Sequence, residues 1–375
     1  MTHFKNAQIY TGFHFVRGGF AVDKGRFLDV GPEAAGAVDL NGALVLPGLV
    51  DIHTHGNSGC DFSDGSYEGL KTMAAFYARH GITSFALASM TLPEDVLAKA
   101  YETAVRLHQE QPEGCAVLRG IQMEGPFFAE SKKGAQNAGY LRAPDAAMFH
   151  RLQETARGLI RIADVAPEEP GGLDYVREVS QSCRVSLAHT AADYDTAKAA
   201  FEAGASHVTH LFNAMPPLLH RAPGVIGAAC ENEQVTAELI GDGLHVHPSV
   251  VRLAYRAFGP ARLCLISDSL SCCGCENGVY WLGGQQVFLD GAIARLADGT
   301  IAGSANHLFG ILKQTVSMGI PLEDAVRMAT YNPAKVLGVE QEVGQIAPGL
   351  RADFLVCTPD LQLRQVWLGG KELTD

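Results

Sequence analysis

Eight short apolar runs alternate with helix-length segments between residues 44 and 269, and this alternation constrains the fold more than any other feature of the chain. The runs are "LVLPGLVDIH" (44–53), "GITSFALAS" (81–89), "VLRGIQMEG" (117–125), "IRIADVAP" (160–167), "RVSLAHT" (184–190), "SHVTHLFN" (206–213), "VTAELIGD" (235–242) and "RLCLISDS" (262–269). Helix-length stretches such as Ser66–His80, Pro93–Glu110, Asp193–Ala203 and Pro248–Phe258 lie between them. Strands that are apolar on both faces belong to a parallel sheet covered by helices on both sides. Eight such units favour a closed (β/α)8 TIM-like barrel over an open doubly wound sheet. No glycine-rich phosphate loop follows the first run, which argues against a nucleotide-binding sheet.

The two ends read differently. Residues 1–43 and 339–375 carry short alternating runs separated by glycine turns, as in "NAQIYTG" and "LRQVWLGGKEL". They are expected to pair as a small β-sandwich built from both termini, leaving 44–338 as the barrel. Pro321–Leu337 reads as a final helix. The net charge of −12 argues against a general nucleic-acid or anionic-membrane binder. Nine cysteines, with no apolar segment of export or membrane-spanning length, point to reduced thiols in a cytoplasm.

In a barrel of this type the C-terminal strand ends converge on one face, where chemistry collects. His53 and His55 end the first strand, two residues apart and therefore on the same side. Glu124 ends the third, His189 the fifth, His210 the sixth and Asp268 the eighth. Singly, each has a plainer reading: a polar residue closing a strand, a satisfied core imidazole, or a helix cap. Together they make a nitrogen-and-oxygen set suited to a borderline or hard divalent metal, whereas a thiolate site would need cysteines at those positions. Zinc and iron both suit such ligands, and the set admits one ion or two. His80, His108 and His150 fall in helical or loop contexts and read as solvated, and His207 as turned away from the site. Cys272, Cys273 and Cys275 in "SLSCCGCENG" have no second cysteine pair at zinc spacing, and read as a flexible loop with free thiols.

The motifs "LVLPGLVDIHTHG", "GIQMEGPF", "KKGAQN", "LAHT", "HVTHLFNAM", "GDGLHV", "ISDS", "IAGSA" and "GQIAPGLRADFLV" run through the chain in one order. On them the chain resembles the amidohydrolase superfamily and, within it, the N-acetylglucosamine-6-phosphate deacetylases. The resemblance implies a barrel with a terminal β-sandwich and a homodimer. It implies Glu124, His189 and His210 as the principal metal ligands, His53 and His55 as support for a second ion, and Asp268 as general base and acid. Asn213 and Ala214 match sugar-phosphate contacts, with Arg221 and His245 as cationic partners; Arg221 is expected to reach across from the neighbouring subunit. Ala135 and Gln136 in "KKGAQN", and Ile301, Ala302 and Gly303, match further substrate segments. Related branches bridge two metals with a carboxylated lysine after the fourth strand; "ADVAPEE" has none, so Glu124 would supply the bridging oxygen.

The chain departs from the family at Gln136, where a histidine is usual. A glutamine donates a hydrogen bond but carries no charge. The expectation is a cytoplasmic, metal-dependent deacetylase of N-acetylglucosamine 6-phosphate. The alternatives are the same reaction on N-acetylgalactosamine 6-phosphate, an N-acyl amino acid deacylase that needs no phosphate clamp, and an inactive barrel serving as a scaffold.

Overall fold

The computed structural model describes every residue except 32, 33, 35 and 375, so that these four positions of the expected terminal β domain lie outside the description. The parallel strands run in sequence order as Leu49–Asp51, Ile82–Ala88, Val117–Met123, Ile160–Val165, Arg184–Leu187, His207–Val208, Thr236–Ile240 and Leu263–Ile266. Ile82–Ala88 and Val117–Met123 are buried at every residue, as strands covered on both faces must be. The circle is completed just beyond the named strands. The Asp268 amide donates to the His53 carbonyl at 2.9 Å, and the His55 amide donates to that of Ser269 at 2.8 Å. Thr54 and Ser269 form a parallel bridge at the same seam. The barrel is therefore knitted shut at the rim by residues flanking three of the proposed functional side chains.

Helices cover the outside where the sequence starts them. Ser66 caps Tyr67–Arg79 by accepting from the Gly69 amide, and Asp193 caps Tyr194–Glu202 by accepting from that of Thr196. Pro248 opens Pro248–Phe258 at a position where its missing N–H costs nothing. Pro321–Leu337 is two helices, Leu322–Ala329 and Tyr331–Leu337, rather than one. Pro333 explains the break. In a continuous helix its ring would clash with the Ala329 carbonyl and its nitrogen would donate nothing, whereas in the first turn of a new helix it is tolerated.

The run 44–53 also divides. Leu44–Pro47 lies in the terminal sheet, between Thr2–Thr11, to which it is parallel, and Phe354–Cys357, to which it is antiparallel. Pro47 has no N–H with which to continue a ladder. The next two amides change partners: Gly48 donates to Asp353 O and Leu49 to Gly81 O, which hands the chain to the barrel. The terminal sheet joins strands from both chain ends and curls until Arg26 bridges to Arg351. Its core is aromatic. Phe4 stacks on Phe20 at 4.6 Å and meets Phe354 and Trp367 edge-on at 5.4 and 5.1 Å.

An antiparallel meander follows the eighth barrel strand: Gly278–Leu282, Gln285–Asp290, Ile293–Arg295 and Ile301–Ser304. It was not anticipated from the barrel pattern, although "WLGGQQVFLDG" carries a Gly-Gly turn and period-two burial across Gln285–Asp290. Among the described residues no helix is long and apolar enough to cross a membrane.

Candidate metal centre and active site

The six strand-end residues meet. Glu124 stands at the centre: its Oε1 lies 3.1 Å from His189 Nε2, 3.3 Å from His210 Nε2 and 3.7 Å from His53 Nε2, and its Oε2 lies 3.3 Å from His55 Nε2. Asp268 Oδ1 lies 3.3 Å from His55 Nε2 and 3.6 Å from His53 Nε2. Two overlapping ligand sets share Glu124, one with His53 and His55 and the other with His189 and His210; within each, the ligand atoms lie within 4.8 Å of one another. All six side chains are buried.

The backbone bends sharply to aim them. His189, His210 and Asp268 take φ of 44°, 31° and 48°, in the left-handed region that costs a residue with a Cβ roughly 1–2 kcal/mol. That three of the six share this conformation is a mark of strain concentrated at a functional site.

The outer nitrogens fix the inner ones. His53 Nδ1 faces Glu238 Oε2 at 2.9 Å, His55 Nδ1 the Ala88 carbonyl at 3.1 Å and His189 Nδ1 the Lys132 carbonyl at 2.8 Å. A ring nitrogen facing such an acceptor carries the proton, which leaves the Nε2 lone pair turned to the centre. His53 Nε2 is buried without a hydrogen-bond partner among the described residues. Unshared imidazole electron pairs converging on a carboxylate are the donor set a borderline divalent cation takes, so these residues fit a metal.

The electrostatics agree. Burial opposes charge on Glu124, yet the imidazoles packed against it, His189 and His210 foremost and then His53 and His55, hold its carboxyl well below the usual range. Burial likewise opposes charge on Asp268, but His55 holds it low. Burial also disfavours charge on the His53 and His55 rings, and the carboxylates around them outweigh it and raise both, Glu238 and Glu124 at His53 and Asp268 and Glu124 at His55. The centre thus favours positive charge, which a divalent cation would supply.

Below the rim is a polar layer that the strand-end reading missed. Glu238, fully buried in Thr236–Ile240, holds the His53 ring, the His207 ring at 3.3 Å and the His210 amide at 3.0 Å. Asp164 receives Gln122 at 3.0 Å and Thr209 at 3.0 Å, and burial together with Glu238 and Glu124 drives its carboxyl well above the ordinary range. A charged residue inside an otherwise apolar strand was the available signal for both. His207 is turned from the centre as expected, but it works in this layer by orienting Glu238.

A cavity of about 180 Å³ opens onto the centre. Of the residues expected to hold substrate, Ala135, Gln136, Asn213, Ala214, His245, Ile301, Ala302 and Gly303 all line it, joined by Met90, Gly134 and Thr300. The segment Ile301–Ser304 reaches the rim because Ser304 donates to the Asp268 carbonyl at 2.8 Å. A Cβ on Gly303 would lie 2.8 Å from Leu270 Cδ2 and 3.0 Å from the Asp268 carbonyl oxygen, so only glycine fits there. His245 donates from Nδ1 to Asp242 at 2.6 Å, and its Nε2 has no partner among the described residues. Gln136 is engaged at both ends: its Oε1 accepts from the Thr91 amide at 2.7 Å and its Nε2 donates to Glu124 Oε2 at 3.0 Å.

Arg221 is the exception. It is exposed in the loop 216–223 beside His220 and does not line the cavity of its own chain. The three thiols of the cysteine segment are free, as expected, but Cys272 and Cys273 are 0% and 1% exposed and packed in the core rather than set in a loop above the site. His80 is half-buried against Phe76 and His307, and half-buried His108 donates from Nδ1 to the Leu118 carbonyl at 2.8 Å, so that of the three histidines read as solvated only His150 is exposed.

Residues 44–373 match the sequence profile of the amidohydrolase family. The chain is 37% identical to an N-acetylglucosamine-6-phosphate deacetylase of Bacillus subtilis, over 86% of this chain and 82% of that protein. It is 32% identical to an N-acetylgalactosamine-6-phosphate deacetylase of Escherichia coli, over 91% and 90%. Among solved structures it is similar to a mutant N-acetyl-D-glucosamine-6-phosphate deacetylase of Mycobacterium smegmatis in complex with N-acetyl-D-glucosamine-6-phosphate, with a TM-score of 0.94 and 32% identity, covering 100% of this chain and 99% of that one.

Proposed function

The chain belongs to the amidohydrolase family, and we infer that it is a metal-dependent deacetylase that hydrolyses N-acetylglucosamine 6-phosphate to glucosamine 6-phosphate and acetate. The observation that carries this reading is the convergence of Glu124, four imidazoles and Asp268, all but His53 lining one cavity, in a chain whose relatives bear that activity in their names.

Glu124, His189 and His210 would hold one divalent ion, and His53 and His55 with Glu124 a second; zinc and iron both suit these ligands. Bound there, the metal would lower the pKa of water from about 15.7 toward about 7 and polarise the acetyl carbonyl. Asp268, kept ionised by His55, accepts the proton of the attacking water as its oxygen bonds to the acetyl carbon. It then delivers that proton to the amide nitrogen as the C–N bond breaks, which removes the need to expel an amide anion. Glu238 and the Ala88 and Lys132 carbonyls keep the imidazoles aimed, so the geometry exists before substrate arrives.

The sugar lies along Ala214, Asn213 and the Ile301–Gly303 backbone, with His245 Nε2 as a donor to its polar groups. We place Arg221 on the phosphate of a second copy's substrate, in a homodimer. Support comes from its exposure on a loop with Leu218 and Leu219, 46% and 52% exposed, an apolar surface that a second copy would cover. A guanidinium fork meets a phosphate with two parallel hydrogen bonds. Nine unpaired cysteines suit a reducing, cytoplasmic setting. The amide of Gln136 is already committed to Thr91 and Glu124, so its replacement of a histidine gives no reason to favour the galactosamine epimer.

The test is acetate release from a panel of acetylated sugars, with and without the 6-phosphate, on metal-reconstituted enzyme. N-acetylglucosamine 6-phosphate should show the highest kcat/KM, and Arg221→Ala should lower it chiefly through KM. An N-acyl amino acid turned over faster than any sugar phosphate would overturn the reading.

A further inference from the structure

A second cavity, of about 630 Å³, lies between the terminal sheet and the start of the third barrel strand. Arg119 lines it near the beginning of Val117–Met123, while Glu124 follows the end of that strand; at about 3.3 Å per residue the two are roughly 16 Å apart. The cavity is therefore at the opposite mouth of the barrel from the metal centre.

Its wall is cationic in a chain whose net charge is −12. Lys24, Arg26, Arg119, Arg351 and Lys371 line it. Three carboxylates answer them: Arg119 donates to Glu342 at 2.7 Å, Arg351 Nε to Asp353 at 2.9 Å, and Lys371 pairs with Glu113 at 3.0 Å. Arg26 uses Nη1 on the Gly349 carbonyl at 2.6 Å. Among the described residues neither Arg26 nor Lys24 has a carboxylate partner, and the two Nη groups of Arg351 make no hydrogen bond. Two positive charges are left uncompensated, the charge of one phosphate monoester dianion.

The turns that carry these cations are pressed together by the fold. A Cβ on Gly25 would lie 2.9 Å from the Gly369 carbonyl oxygen, and one on Gly370 would lie 2.6 Å from Val22 Cγ1. Only glycines let the turn bearing Lys24 and Arg26 press against the turn that precedes Lys371. Like charges lining one cavity favour an anion between them.

We propose that this cavity is a non-catalytic anion site for a phosphorylated small molecule, its phosphate held by the Arg351 Nη groups, Lys24 and Arg26. A guanidinium fork and an ammonium are the donors phosphate takes. The site stands independently of the chemistry assigned to the metal centre.

The probes are glucose 6-phosphate, which has the phosphate but no acetamide, and inorganic phosphate, each titrated calorimetrically into metal-loaded enzyme. Lys24 and Arg26 are exposed, so the Lys24→Gln, Arg26→Gln double variant should fold as the parent does. It should bind glucose 6-phosphate at least about tenfold more weakly, the loss of a charge-assisted contact, while acetate release stays within about twofold. Glucose 6-phosphate binding much tighter than inorganic phosphate would assign the ligand as a phosphorylated sugar, and equal binding would assign it as free phosphate. Identical isotherms for parent and double variant would overturn the proposal, as would the absence of saturable binding by either probe.

Discussion

At the scale of single residues, two carboxylates divide the labour of the centre. Asp268 faces the cavity, and its duty is to carry a proton. An asparagine in its place keeps the shape and accepts none, so Asp268→Asn should retain its metal by elemental analysis while acetate release falls roughly 100- to 10,000-fold. Near-parental turnover would remove Asp268 from that role. Glu238 never meets the cavity; it acts through His53, His207 and the His210 amide. Glu238→Gln should weaken metal affinity by about 10- to 100-fold in a chelator-competition titration. Unchanged affinity would reduce Glu238 to a buried structural acid. The two residues also mark what the sequence made legible. Asp268, His189 and His210 could be found because each lies at a strand end in a regular pattern. Glu238 and Asp164 sit within strands, and which face of a short buried strand turns inward is settled only when the barrel closes.

At the scale of elements, the meander at Gly278–Ser304 ties the rim together. Its last strand hydrogen-bonds to the segment bearing Asp268, and Gly303 lets the two backbones touch. Gly303→Val should push that segment aside and lower acetate release by about 100-fold, as a displacement near 1 Å does at a reacting centre, with metal content preserved. Full activity would show that the rim tolerates the shift. The barrel strands were legible because a doubly covered strand must be apolar throughout. The meander was not, because its signal is weak alternation in a segment that follows the eighth run. The helix break at Thr330 was readable in principle from Pro333. The split at Pro47 was harder, since both halves of "LVLPGLVDIH" are apolar and only hydrogen-bond partners distinguish them.

At the scale of the whole molecule, one face of the terminal sheet has an apolar core of its own, while Tyr10, Leu46 and Leu355 from its other face join the core of the barrel. Phe354 is central to the sheet's own core, with Phe4, Phe20 and Trp367 within 5.4 Å of its ring. Phe354→Ala should cost about 3–5 kcal/mol in denaturant unfolding. A loss below 1 kcal/mol would mean that the aromatic cluster contributes little to stability.

That sheet also sets an order of events on the ribosome. Leu44–Pro47 is flanked by one strand from residues 2–11 and another from 354–357. Its second neighbour is therefore translated only after the whole of the barrel. Until then the nascent chain carries an open, hydrogen-bond-hungry edge, the kind of surface that attracts chaperones or misassembles with other chains. A stop codon shortly before Phe354 would leave that edge open for good, so such truncations should accumulate as aggregates even though every proposed metal ligand has already been made.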